Sequence, residues 1–243
     1  LNLSFESQQW PVEILKYVLK ELRENPLISS KIIVLFIIEH SNKSKTIKIE
    51  VPIKEKYILT GELEQTNDAY AIAKIAGIMM CKNYSRSYGL NYKSLMPSNM
   101  YGPNDNYDLK NSHFFPALIR KIYEAKIYNK KILKVWGTGK VLRELLYVND
   151  FADAVIFFMN KNIKESFINI GSGKDYTIDW YVKFIMKQLK VKLKVIYDKA
   201  KPDGVPRKLL DVSLAKKYGW KSKTSLKDGL FETLKDFRSG YRS

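Results

Sequence analysis

Glycine is missing from the first sixty residues of this 243-residue chain, and cysteine occurs once in the whole of it. Domains that bind dinucleotides hold the pyrophosphate in a Gly-rich turn after their first strand, so residues 1–60 do not supply such a turn. The single Cys81 excludes an internal disulfide and favours a reducing compartment, for which we expect the cytoplasm.

Long apolar runs and runs of basic residues are also missing. The apolar stretch 32–38 is far shorter than the ~18 residues of a membrane-spanning helix. We therefore expect no membrane association and interpret the stretch as a buried strand. Lys and Arg exceed Asp and Glu by 42 − 25, or 17 charges, which suits a polyanion. Because the charges are scattered, we expect no nucleic-acid partner, although a basic nucleic-acid binder stays an alternative. The chain starts at Leu1 rather than Met, which predicts a fragment or a trimmed product.

Apolar spacing beyond Pro52 alternates between the periods of strands and helices. Helices are predicted over 68–87, 115–128, 150–159 and 178–189, with two more opened by Ser213 and Leu226, and strands over 92–97, 132–136, 144–148, 167–170 and 193–197. A further helix is predicted over 12–23. Caps are predicted at residues 66–68, at Asn149 or Asp150, and at Thr177. This alternation favours an α/β fold with a largely parallel sheet.

Tyr70 and Lys74 lie four residues apart on the first of these helices, so their side chains share one face. A tyrosine hydroxyl has an ordinary pKa near ~10 and is a poor acid or base at neutral pH. A neighbouring ammonium group stabilises the phenolate and lowers that pKa, which makes proton transfer possible. The spacing alone is common, and a chance pair on an ordinary helix face is the alternative.

Several segments together resemble the GDP-L-fucose synthase family, which belongs to the extended short-chain dehydrogenases/reductases. The segments are 67–78, 96–106, 111–113, 136–139 and 201–211. The resemblance runs in register from about Pro52 to the end of the chain. It implies a Rossmann-like parallel sheet, incomplete at its N-terminal part, with a smaller C-terminal α/β substrate domain. We divide the chain into a divergent or truncated remnant of the cofactor half (1–50), the catalytic helix and later Rossmann strands (51–112), and a mainly substrate-binding C-terminal region (113–243). Some segments of the last region are expected to return to the Rossmann domain.

The resemblance also implies an activity that is both isomerase and oxidoreductase. Members of this family epimerise carbons 3 and 5 of GDP-4-keto-6-deoxy-D-mannose and then reduce its 4-keto group with NADPH to give GDP-L-fucose. The implied cofactor is NADP(H), the implied partner is a second copy of the chain in a homodimer, and no metal is implied.

Residue roles follow from the matched motifs. The implied catalytic residues are Tyr70, Lys74 and His113, the last as the acid of the epimerisation. Tyr70, Lys74 and His113 also belong to the implied cofactor-binding set, which is completed by Pro97, Asn99 and Met100. The implied substrate-binding residues are Lys121, Trp136, Arg143, Asp203 and Lys208. A guanidinium suits a diphosphate and an indole supplies an apolar wall, whereas solvated charges and a core aromatic are the alternative reading.

The chain departs from the family at the base of the epimerisation, which is a cysteine in a Ser-Ser-Cys loop upstream of the tyrosine. Cys81 lies eleven residues past Tyr70, ~16 Å along a helix at 1.5 Å per residue, and is predicted to be a packed core residue. Because residues 1–60 lack glycine, we expect weak NADP(H) binding. Two alternatives stay open. One is an impaired member that binds a GDP-sugar or pairs with an intact subunit, and the other is a different nucleotide-sugar epimerase or dehydratase.

Overall fold

The computed structural model describes residues 33–35, 50–61, 63 and 68–240. The helix predicted over 12–23 and part of the predicted cap at 66–68 lie outside this range. The strands are β1 (Ile33–Leu35), β2 (Lys93–Pro97), β3 (Asn99–Tyr101), β4 (Ile132–Trp136), β5 (Leu142–Tyr147), β6 (Phe167–Ile170), β7 (Asp175–Thr177), β8 (Lys194–Asp198) and β9 (Arg207–Lys208). The helices are α1 (Asp68–Tyr88), α2 (Phe114–Ile127), α3 (Val148–Met159), α4 (Ile178–Gln188), α5 (Ser213–Lys217) and α6 (Leu226–Gly240), with a 3₁₀ turn at Glu55–Tyr57.

Within the described residues, the strands form three small sheets. A parallel sheet in the order β1-β2-β6 is the Rossmann-like part of the molecule, and β4 pairs with β8 in a second parallel sheet. In the third sheet β5 pairs with β3 and β9 in parallel and with β7 in antiparallel fashion. Strands that alternate with helices and pair mostly in parallel confirm the predicted α/β fold.

One large apolar core joins the sheets to the helices. Phe115 and Ile122 of α2, Phe151 of α3 and Tyr181 of α4 are almost fully buried in it, together with Leu146 of β5. Helices α2, α3, α4 and α6 face this core with residues three or four positions apart, as an amphipathic helix requires. Strand β5 lies centrally in the third sheet and packs against α3.

Most predicted boundaries agree with the structure within one or two residues, but one cap prediction is wrong. Helix α3 begins at Val148, with Tyr147 in the cap position, rather than after Asn149 or Asp150. The Asp150 carboxylate instead accepts hydrogen bonds from the backbone N–H groups of Lys223 and Thr224 and from the Thr224 hydroxyl. The predicted cap at Thr177 is confirmed, since its Oγ1 accepts a hydrogen bond from the N–H of Trp180.

Helix α1 runs antiparallel to β2, and this places its N-terminal end at the carboxyl edge of the first sheet. A short connection joins Tyr88 to β2, and Ile78 packs against Met96 near the carboxyl end of that strand. Tyr70 lies eight residues before Ile78, ~12 Å further along the helix axis in the same direction. The start of α1 and the ends of β2 and β6 therefore meet at one edge, where α/β sheets bind their ligands.

Candidate active site

The Tyr70–Lys74 pair lies near the start of α1 with both side chains half-buried. The Lys74 Nζ atom is 5.1 Å from the centroid of the Tyr70 ring. Partial burial lowers the pKa of the Lys74 ammonium group, because desolvation disfavours its charged form. The pair thus has the one-turn geometry that was predicted, with a cation held against the phenol.

The predicted cofactor-binding residues after β2 lie at the same carboxyl edge. Pro97 is buried opposite Ile170, and Asn99 begins β3, where its Nδ2 donates a 2.9 Å hydrogen bond to the carbonyl of Glu144. Met100 pairs with Leu146 in the next register position. Ser98 lies between Pro97 and Asn99. Its hydroxyl is buried and has no hydrogen-bond partner within the described part of the chain.

His113 occupies the cap position of α2, at the end of the loop that follows β3. Its side chain is exposed, and its carbonyl accepts the N–H of Ala117 at 3.1 Å. Asn104 and Tyr107 tie the loop to helix α6. The Asn104 N–H donates to Asp236 at 2.8 Å, and the centroid of the Tyr107 ring lies 4.5 Å from that of Phe237. An exposed imidazole on an anchored loop is suited to proton exchange with a bound ligand.

Trp136, the last residue of β4, lies beside one other predicted substrate residue, Lys121. Trp136 is 58% exposed, and two ammonium groups lie over its ring. Lys121 of α2 places its Nζ atom 5.4 Å from the ring centroid, and Lys201, after β8, places its Nζ atom at 5.5 Å. An exposed indole with two cations over its ring suits a ligand that combines a planar base with phosphate groups.

Arg143 and Asp203 brace the segment that runs past Trp136. Arg143 donates to the carbonyls of Val205 at 2.7 Å and Asp203 at 3.1 Å. The Asp203 carboxylate accepts from the N–H and the hydroxyl of Thr138, both at 2.7 Å, and these bonds hold its pKa below the ordinary value. Lys208 pairs with Arg143 in the β5–β9 register. We call Lys121, Trp136, Arg143, Asp203 and Lys208 the tryptophan cluster.

Strand β5 joins the two groups of residues. Arg143 belongs to the tryptophan cluster, whereas Leu145, two positions on, pairs with Asn99 at the cofactor side. The structure therefore places the predicted substrate residues on connected segments and links them through β5 to Asn99, at the carboxyl edge of the first sheet.

Cys81 does not take part in either group. It lies buried on α1, where desolvation raises the pKa of its thiol, and this confirms the prediction of a packed core residue. Within residues 33–35, 50–61, 63 and 68–240, no cluster of three or more His, Cys, Asp or Glu residues is arranged to hold a metal ion. In the same residues, no helix combines the length and the apolar character needed to cross a bilayer.

Sequence reasoning missed three residues of the site: Lys201, Thr138 and Glu144. Lys201 stands in a segment that was matched to the family, but its approach to Trp136 depends on tertiary structure. Thr138 binds Asp203, 65 positions further along the chain, and this contact also depends on tertiary structure. The preceding Gly137 leaves room for the Asp203 side chain, since a Cβ atom added there would lie 2.1 Å from Asp203 Oδ1. Glu144 had a visible signal, since a carboxylate within the otherwise apolar run 144–148 must be buried with partners.

The chain is similar to known proteins in both sequence and structure. The model of the NAD dependent epimerase/dehydratase family matches residues 44–171. The chain is similar to the probable GDP-L-fucose synthase 1 of Oryza sativa subsp. japonica, with 48% identity over 184 residues that cover 76% of this chain and 56% of that protein. It is also similar to the GDP-L-fucose synthase of Escherichia coli K12, with 45% identity over 195 residues, 76% of this chain and 61% of that one.

Among solved structures, a GDP-L-fucose synthetase from Naegleria fowleri bound to NADP superimposes with a TM-score of 0.77 at 26% identity. The match covers 87% of this chain and 67% of that one. The chain spans about three-fifths of the length of the two curated relatives above.

Proposed function

Because this chain belongs to the NAD dependent epimerase/dehydratase family, we propose that it is a GDP-L-fucose synthase-like enzyme. Its substrate is GDP-4-keto-6-deoxy-D-mannose, its cofactor is NADP(H), and its product is GDP-L-fucose after epimerisation at carbons 3 and 5 and reduction at carbon 4. Identity of 45% and 48% to proteins with that name supports the proposal. We also propose the cytoplasm as its location, on the basis of the single cysteine.

One observation supports the proposal most directly: the link through β5 between the tryptophan cluster and the edge that carries Tyr70. A nucleotide-sugar is long, with a base and diphosphate at one end and the reacting ring at the other. The cations around Trp136 suit the nucleotide end, and the Tyr70–Lys74 pair suits the reacting end. Asn99 and Arg143, two register positions apart on paired strands, hold the two ends in a fixed relation.

The residues then take separate roles in the two steps. During epimerisation His113 returns a proton to the carbon next to the ketone, since an imidazole titrates near neutral pH. During reduction Tyr70 donates its hydroxyl proton to the alkoxide that forms at carbon 4. Lys74 stabilises the resulting phenolate through the charge that it holds 5.1 Å from the ring centroid. No residue of this chain is assigned as the base that removes the first proton.

The described residues fit the nicotinamide end of NADP(H), which supplies the hydride when it is bound. In this proposal Tyr70 and Lys74, which lie 5.1 Å apart from ring centroid to Nζ, contact its ribose. The buried Ser98 hydroxyl, without a partner in the described residues, offers a polar group at the strand ends. Residues 1–60 contain no glycine, so they do not supply the Gly-rich turn that binds a pyrophosphate. We therefore expect NADPH to bind this 243-residue chain weakly.

The proposal is tested by incubating the purified chain with GDP-4-keto-6-deoxy-D-mannose and saturating NADPH and identifying the sugar by NMR. We expect NADPH oxidation with formation of GDP-L-fucose. The Tyr70→Phe variant should lose the reduction, and the His113→Asn variant should reduce the substrate without inverting carbons 3 and 5. Binding of the GDP-sugar without oxidation of NADPH in the native chain would identify an impaired family member instead.

We further propose that α1 forms the interface of a homodimer. Four large side chains spaced by four or eight residues are exposed along it, namely Ile72, Met80, Tyr84 and Tyr88. A contiguous apolar stripe on a surface helix is typical of a subunit interface. Light scattering should give the mass of a dimer for the native chain and of a monomer for Met80→Glu. The control Phe231→Glu changes an equally exposed residue on α6 and should remain dimeric.

A further inference from the structure

Glu144 is a charged residue in a fully buried position, at the point where the first and third sheets meet. Its exposed fraction is 0%, and desolvation raises the pKa of its carboxyl group to about 7. The roles assigned so far do not involve this side chain. A buried carboxylate without a function is costly, so its contacts indicate what it holds in place.

The carboxylate receives hydrogen bonds from two distant segments. Its Oε1 accepts the N–H of Gly173 at 2.7 Å and the hydroxyl of Ser172 at 3.3 Å, in the turn that follows β6. Its Oε2 accepts the N–H of Leu210 at 2.9 Å. Leu210 lies two residues past Lys208, at the end of the segment 203–208 that carries part of the tryptophan cluster.

The backbone of the same residue adds a third connection. Its carbonyl accepts the 2.9 Å hydrogen bond from Asn99 Nδ2 at the cofactor side. One residue therefore contacts the cofactor-side strand end, the turn after β6 and the substrate segment. The glycine at position 171 leaves room for this side chain: a Cβ atom added to Gly171 would lie 2.3 Å from Oε1, and its three nearest atoms would all belong to Glu144.

We propose that Glu144 is a positioning residue that sets the segment 203–210 relative to the edge bearing Asn99 and Tyr70, and thereby determines affinity for the GDP-sugar. This inference rests on the proposed function and extends it to a residue outside the ligand-contacting groups. Two N–H donors face the two carboxylate oxygens. An amide offers only one oxygen, so Glu144→Gln sets its NH₂ group against one of the donors and leaves that donor unpaired.

The probe is GDP-mannose, a GDP-sugar that the chain cannot reduce, and the measurement is its Kd by calorimetry with the 243-residue chain. We expect Glu144→Gln to weaken binding about tenfold, as loss of one buried hydrogen bond implies. Gly171→Ala should weaken it similarly, because the new methyl group displaces the carboxylate. In a Glu144→Ala background the Gly171→Ala change should add nothing, since the clash is then gone.

The matched control is Asp150→Asn, which alters another buried carboxylate with two backbone N–H partners, at residues 223 and 224. We expect it to lower the melting temperature as Glu144→Gln does, yet to leave the Kd for GDP-mannose unchanged. If Glu144→Gln and Gly171→Ala shift the Kd no more than Asp150→Asn, the inference is overturned while the proposed function stands. If the native chain fails to bind GDP-mannose, the proposed function fails and the inference falls with it.

Discussion

The tryptophan cluster is braced from several elements, whereas Tyr70 and Lys74 lie one turn apart on a single helix. Arg143 and Thr138 fix the segment around Asp203 through hydrogen bonds of 2.7 to 3.1 Å. Tyr70 and Lys74 derive their relation from helix geometry, with 5.1 Å between the ammonium and the ring centroid. The difference separates two tasks: a region preorganised for binding and a short unit that transfers a proton.

This division predicts that variants of the two regions fail in different ways. A change at Tyr70 or Lys74 should lower the rate of the chemical step and leave affinity for the GDP-sugar intact. A change in the tryptophan cluster should lower affinity and leave the rate at saturation intact.

The largest expected effect is that of Tyr70→Phe. Removal of the hydroxyl takes away the proton that the alkoxide needs, so the rate of reduction should fall about a thousandfold, within the range of general acid catalysis. Single-turnover NADPH oxidation measures the rate, and Tyr88→Phe on the same helix is the control that should keep it. An equal loss of rate in both variants would show that α1 acts only as a support.

The next largest effect is a pH dependence of the free energy of unfolding, and it tests Glu144, the residue that joins the two regions. The pKa of Glu144 is about 7 in the folded chain and 4.5 for an ordinary glutamate, so the folded chain binds this proton more tightly than the unfolded chain does. Its contribution to stability is therefore fully present below pH 4.5 and is lost as pH rises through about 7. Glutamine pays no such penalty, because it has no charge to desolvate.

The difference in unfolding free energy between native chain and Glu144→Gln should accordingly shrink by about 3 kcal/mol as the pH rises from about 5 to about 8. Urea denaturation at a series of pH values measures it. A difference that stays constant, or grows with pH, would contradict a buried carboxyl group with a raised pKa.

A smaller effect is expected from Arg143→Ala within the tryptophan cluster. The variant leaves the carbonyls of Asp203 and Val205 without their charged donor, which should cost about 2 kcal/mol of stability and of affinity for GDP-mannose. Arg207→Ala, which breaks the partly exposed ion pair with Asp175, is the control and should change affinity little. Equal losses of affinity in both variants would contradict a specific role for Arg143 in holding the substrate segment.

The smallest effect is expected from Lys201→Gln, which removes one of the two cations over Trp136. A cation–π contact at an exposed ring contributes about 0.5–1 kcal/mol, so the Kd for GDP-mannose should rise by up to about fivefold. An unchanged Kd would show that Lys201 does not contribute to binding of GDP-mannose.

Local signals in the sequence predicted the elements better than they predicted the contacts. The cap at Thr177 and the helix starts at Ser213 and Leu226 were predictable because each depends on a few neighbouring residues. Strands β3, β7 and β9 are only two or three residues long and have too few positions to show a period.

The Asp150 cap failed for a related reason. Its side chain has the capping chemistry but bonds to residues more than seventy positions away, which local reasoning does not see. For the same reason the sequence did not predict that Lys201 approaches Trp136 or that Gly173 and Leu210 donate hydrogen bonds to Glu144, since these partners are also far apart along the chain. By contrast, the grouping of Lys121, Trp136 and Asp203 followed from matched motifs, which carry tertiary information that composition and period do not.

The division between binding and chemistry is tested most directly by measuring both quantities on two variants with one substrate. Single-turnover reduction of GDP-4-keto-6-deoxy-D-mannose at saturation and its concentration dependence should be compared for the native chain, Tyr70→Phe and Arg143→Ala. We predict that Tyr70→Phe loses the rate and keeps the half-saturation concentration, while Arg143→Ala raises that concentration and keeps the rate. Loss of both quantities in both variants would contradict the account.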